Sequence, residues 1–110
     1  CCAESTTGPM HRAALAAPGA DHTALTNLFT GRPARGIVNR LMRELGPINA
    51  AAPAFPSAAS ALLPLRQAAE ARGRTDFTPL WAGQNTAGCR AVPAAELLAG
   101  LAPGAAESAQ

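Results

Sequence analysis

ALTNLFTGRPARGIVNRLMRE, residues 24–44, contains the change of periodicity on which the fold depends. Thr23, Leu25, Asn27 and Phe29 fall on one side of a two-residue period and Ala24, Thr26 and Leu28 on the other, with Thr and Phe suited to a pleated surface. This predicts a strand over 23–29; a helix through Ala24, Leu28 and Phe29 is the competing reading. Gly31 then permits a left-handed turn, while Pro33 holds Arg32 extended and presets a first helical turn. Beyond it Ile37, Leu41 and Leu45 recur at i, i+4 and i+8, with Val38 and Met42 beside them. That spacing predicts an amphipathic helix ending at Gly46 and Pro47, so the stretch reads as strand, tight turn, helix.

Upstream, Thr7 as cap and Pro9 in the first turn predict a helix over 9–17 that stops at Pro18 and Gly19. Met10 and Ala14, or Ala13 and Ala17, would face inward and leave His11 and Arg12 to solvent. Downstream, residues 48–57 read as an irregular, Pro-interrupted crossing with Phe55 anchored in a core. A helix over 58–72 follows, with Leu62, Leu65 and Ala69 inward and Arg66 and Glu70 an outer i, i+4 pair. Pro64 within it implies either a kink or a start near Leu63, and Gly73 closes it. Residues 76–89 carry the single Trp in a short helical turn and loop. A last helix over 93–102 would turn Leu97, Leu98 and Leu101 inward, before Pro103, Gly104 and a disordered tail over 103–110.

The chain has 110 residues, enough for one modest domain at most. All nine basic residues are Arg and the net charge is +2, with both signs interspersed, which disfavours nucleic acid as a partner. Nothing approaches the ~20 apolar residues of a membrane span, so no membrane role is expected. Three Cys, two of them adjacent, form neither a disulfide framework nor a metal-ligand spacing; free thiols point to a reducing, cytoplasmic setting and no metal. The apolar content is carried by Ala, with four aromatics in all, so little area is buried per residue and marginal stability is expected. The chain opens on Cys1 and Cys2 without Met, which fits a piece of a longer protein.

Few residues invite chemistry. In GRPAR at 31–35, Arg32 and Arg35 would flank a helix N-terminus as an anion contact, or else pair with neighbouring carboxylates and carbonyls. WAGQ at 81–84 joins an aromatic face, a backbone free of bulk and an amide that donates and accepts; a small-ligand pocket and a packed Trp beside a turn both fit. His11 and His22 have no nucleophile or carboxylate at a catalytic spacing, and both read as surface histidines. Cys89 would be reactive only if Arg90 lowered its pKa, and otherwise reads as an incidental thiol. No catalytic residue is identified.

HRAAL at 11–15, TGRPARGIVNR at 30–40, LWAGQ at 80–84 and PAAELL at 93–98, in that order, resemble the C-terminal part of the nitronate monooxygenases, formerly the 2-nitropropane dioxygenases. The resemblance implies a TIM-barrel FMN enzyme whose barrel core is missing here, since a (β/α)₈ barrel takes roughly 200–250 residues. The expected fold is therefore mostly α with one short strand: the C-terminal end of an FMN-binding barrel plus its small helical domain. By resemblance residues 1–23 are the last barrel-side helix, 24–45 the passage out of the barrel and 46–102 the helical domain. The family's phosphate-holding Gly-Thr segment and catalytic His motif would lie ahead of Cys1. Trp81 is then a wall of the substrate pocket, and Gly83 and Gln84 are cofactor-binding candidates. The implied activity is oxidation of alkyl nitronates with O₂ to carbonyl compounds and nitrite, with this chain inactive alone and the missing N-terminal barrel its partner. The alternatives are a related FMN oxidoreductase resembling enoyl reductases, or a small helical interaction domain docking through Ile37, Leu41 and Leu45 and through Leu97 and Leu101.

Overall fold

A computed structural model describes residues 2–102; Cys1 and the tail expected over 103–110 lie outside the described residues. The element order is α1 (Pro9–Ala16), β1 (Thr23–Thr26), β2 (Ala34–Ile37), α2 (Arg40–Leu45), α3 (Ser57–Glu70) and α4 (Ala94–Leu101). There are thus two paired strands rather than one, and β2 occupies the start of the helix expected after Pro33.

The strands are antiparallel, with Thr23 opposite Ile37, Ala24 opposite Gly36, Leu25 opposite Arg35 and Thr26 opposite Ala34. On the other edge of β2, Trp81 bridges to Gly36, the Ile37 N–H donates to the Leu80 carbonyl at 2.8 Å and the Ala82 N–H to the Arg35 carbonyl at 3.2 Å. Residues 34–37 therefore satisfy backbone groups on both sides, a return no isolated helical turn offers. Gly36, Ile37 and Val38 are poor helix formers, which removes the opposing preference. The turn between the strands rests on Gly31, whose φ of 91° carries the backbone so close to residues 53–55 that a Cβ would lie 2.4 Å from the Phe55 nitrogen.

Helix α2 begins at Asn39, whose side chain accepts from the Met42 N–H, and ends before Gly46. The i, i+4, i+8 face dissolves accordingly. Ile37 packs with Ala20 and Leu80, with Ala14, Leu15 and Ala82 around them, on one face of the ribbon. Leu41 packs with Leu28, Phe29 and Met42 on the other, against Ala24, Val38, Ala52, Leu62 and Phe77. Leu45 is half exposed. The alternation of β2 separates what a continuous helix would have aligned.

The cap of helix α1 is Gly8, which has no side chain to offer, rather than Thr7, whose hydroxyl pairs with that of Ser5. Arg12 is not a solvent group: it donates to the carbonyls of Cys2, Ser5 and Thr7 at 2.7–3.3 Å and ties residues 2–7 to the helix. Helix α3 runs unbroken through Pro64. Its Leu65 is exposed, unlike Leu62, and Phe55 is half exposed with the Arg32 guanidinium 4.0 Å above its ring, so neither anchors the core as expected. In α4, Leu98 and Leu101 are each 69% exposed rather than inward, and only Leu97 is partly covered. The Glu4 carboxylate accepts from the Ala94 N–H and the Ala3 N–H donates to the Val92 carbonyl, which moors this helix at its start. The strands share the one extensive contact among the described elements; no two helices pack lengthwise.

Candidate functional site

The tract 80–84 is fixed by its backbone. Leu80 and Ala82 turn to the cluster around Ile37, which places Trp81 on the opposite face, opposite Gly36 and Ala24 in the ladder. A Cβ on residue 36 would lie 3.0 Å from the Leu80 carbonyl oxygen and 3.4 Å from the Trp81 ring, so the close approach of this ribbon requires glycine. The indole meets Phe29 edge to face, with ring centroids 5.7 Å apart and planes at 88°, and 37% of Trp81 stays exposed. Gly83 and Gln84 follow on the surface, and the space where a Gly83 side chain would lie is open. An anchored aromatic, a bare stretch of backbone and a free amide thus stand side by side.

A second support comes from α1. The His11 Nε2 lies 2.9 Å from the Trp81 carbonyl oxygen. His11 also borders an open groove of about 300 Å³, shared with Arg66, Glu70, Thr78 and Leu80. In that groove the Glu70 carboxylate accepts from Arg66 Nε at 2.6 Å and from the Thr78 hydroxyl at 2.7 Å. The Arg66 bond first, and the Thr78 bond second, hold the Glu70 carboxyl below the usual carboxylate range. Thr78 is buried, and its carbonyl accepts from the Asn39 side-chain amide at 2.9 Å. The hydrogen bonds therefore run from α2 through Thr78 to α3, two residues from Leu80.

The turn at 31–35 corrects an expectation. Strand β2, not a helix N-terminus, follows Pro33, so the dipole argument for an anion there has no basis. Arg32 stacks on Phe55, and Arg35 donates to the Thr23 hydroxyl at 3.1 Å. Neither guanidinium converges on the tract 81–84. His22 and Cys89 are exposed, and no cluster of metal-ligating side chains occurs among the described residues. No described helix is long and apolar enough to cross a membrane. The docking face expected at Ile37, Leu41 and Leu45 does not exist, because Ile37 and Leu41 are buried.

His11, Asn39 and Thr78 make the hydrogen bonds around this tract, and pattern reading missed all three. A long-range hydrogen bond to a main-chain carbonyl leaves no mark on sequence spacing, so His11 had no signal. Asn39 had one: a favoured cap residue immediately ahead of RLMREL.

Comparison with known proteins gives one answer. The family model described as Nitronate monooxygenase matches residues 1–104. A nitronate monooxygenase of Pseudomonas aeruginosa is 44% identical over 98 residues, covering 88% of this chain and 28% of its own length. A probable nitronate monooxygenase of Bacillus subtilis is 35% identical over 83 residues, 76% of this chain and 24% of that protein. Among solved structures, a nitroalkane oxidase from Streptomyces ansochromogenes superposes with a TM-score of 0.78 at 42% identity, over 96% of this chain and 30% of that one. The chain thus spans about a quarter of the length of the curated relatives it matches. Four sequence motifs in order, a shared fold and a match across nearly all its residues establish that the chain belongs to the nitronate monooxygenase family.

Proposed function

We propose that this chain is the C-terminal portion of an FMN-dependent nitronate monooxygenase, which oxidises alkyl nitronates with O₂ to carbonyl compounds and nitrite. The observation that carries the reading is the tract 81–84: its backbone is held by β2 and α1 and its indole by Phe29, yet the indole, Gly83 and Gln84 face outward. Such a surface is a pocket wall awaiting its opposite side.

The residues present fit part of the cofactor. Trp81 offers a planar apolar face, the open space at Gly83 lets a ring edge approach the backbone, and the Gln84 amide can donate to or accept from a heteroatom. The turn at 31–35 offers a phosphate no cradle, since Arg32 and Arg35 are turned to Phe55 and Thr23. We place phosphate binding on the barrel ahead of this chain, with 1–23 as its last helix, 24–45 as the passage out and 46–102 as a helical layer over its mouth. Bound there, FMN would supply the electron transfer from nitronate to O₂. The role of this chain is to orient substrate with Trp81, to meet the cofactor with Gly83 and Gln84 and to exclude water from that side. The free thiols of Cys2 and Cys89 suit a reducing cytoplasm.

The test replaces the matching 98-residue segment of the Pseudomonas enzyme with this chain. The chimera is expected to purify with flavin and to consume O₂ when given an alkyl nitronate, while this chain alone leaves FMN fluorescence unquenched. A folded chimera that retains flavin but consumes no O₂ with any nitronate, or stoichiometric quenching by this chain alone, contradicts the proposal.

A further inference from the structure

We infer that His11 is a positioning residue that holds the tract 81–84 in place through the Trp81 carbonyl. A carbonyl oxygen only accepts, so in the neutral ring the proton sits on Nε2 and Nδ1 carries the lone pair. The bond joins residues 70 positions apart and comes from α1, which has no other described hydrogen bond to the tract. Its place is telling. Ladder bonds from Ile37 and to Arg35 hold Leu80 and Ala82, but Trp81 presents its own carbonyl away from both, and His11 takes it.

The other supports of α1 fix the imidazole. Ala14 and Leu15, one turn along the helix, pack on the cluster of Ala20, Ile37 and Leu80, and Arg12 binds three carbonyls of residues 2–7. The ring is therefore presented to Trp81 by an element anchored independently of it. Loss of the donor would release the Trp81 carbonyl, which faces away from β2, two residues before Gly83. The role in catalysis rests on the reading of Trp81 as a pocket wall; the clamp itself does not.

Trp81 is the only Trp of the chain, so its fluorescence reports the tract directly. The side-chain nitrogen of Gln can occupy the position of His Nε2, that of Asn falls short, and Leu has no donor. Acrylamide quenching of Trp81 is compared for the native chain, His11→Gln, His11→Asn and His11→Leu, with far-UV circular dichroism as the check of fold. We expect His11→Gln to match the native chain, and His11→Asn and His11→Leu to raise the quenchable, open population about fivefold, as loss of one ordinary hydrogen bond does. Equal quenching in all four, or a His11→Gln chain as quenchable as His11→Asn, overturns the inference. If His11→Leu loses its helical signal, the two polar variants still decide. Failure of flavin binding in the chimera would strike at the pocket reading and leave this result unchanged, so the two can fail separately.

Discussion

Asn39 shows how much one polar side chain can organise. It is 7% exposed, caps α2 through Met42, and donates to the carbonyls of Thr75 and Thr78 at 3.2 and 2.9 Å. Asn39→Ala removes the cap and takes the side-chain donor from the buried Thr78 carbonyl, so it should destabilise the chain by about 2–4 kcal/mol, read from urea unfolding. Glu70 makes the complementary electrostatic case. Its carboxyl is held low by Arg66 and Thr78, so its stabilising contribution is present above the ordinary carboxylate range, near the reference value of 4.5, and is lost as pH falls through the depressed folded-state value. The pair is solvent-screened, which limits the effect to at most about 1 kcal/mol. Glu70→Gln should melt below the native chain at pH 7, and the gap should close as pH drops below about 4. A gap that widened in acid would mean that the carboxyl is raised, not lowered.

The elements divide by where their information lies. Helices α1, α3 and α4 were legible to within a few residues, because Pro at the start, Gly or Pro at the end and Ala-rich windows are local signals. The strand at 23–26 was legible from alternation, although Leu28 and Phe29 leave it in a turn where the Leu28 N–H bonds the Thr26 hydroxyl. Residues 34–37 were not legible, because their partners are Thr23–Thr26 on one edge and residues 80–82 on the other, and pairing across 45 residues has no periodicity. An apolar spacing compatible with a helix was therefore outvoted by tertiary pairing, and Gly36 was the overlooked warning. The candidate wall was visible only as the word WAGQ; its rigidity comes from Gly36, Phe29 and His11, which lie 45 to 70 residues upstream. Gly36→Val should push 80–82 off β2 at about 1–3 kcal/mol and move Trp81 emission to the red. Unchanged emission in a folded variant would show that the ribbon does not depend on this contact.

Across the molecule, apolar surface is left over. Leu25, Leu45, Ile48, Leu63, Leu65, Leu98 and Leu101 are each at least 41% exposed, and the two small clusters share their boundary at the ribbon. Coverage of about 28% of the Pseudomonas relative gives the physical context: the same residues there belong to a chain more than three times as long. Grafted into that enzyme, this chain should place Trp81 against substrate and Gln84 against the cofactor. The decisive measurement is therefore steady-state oxidation of an alkyl nitronate by the chimera carrying Trp81→Ala or Gln84→Ala. We predict that flavin content holds in Trp81→Ala, that both variants lose at least about tenfold in kcat/KM, the equivalent of roughly 1.4 kcal/mol of transition-state binding, and that exposed Leu98→Ala loses nothing. Variants of Trp81 and Gln84 as active as the parent chimera would contradict the account.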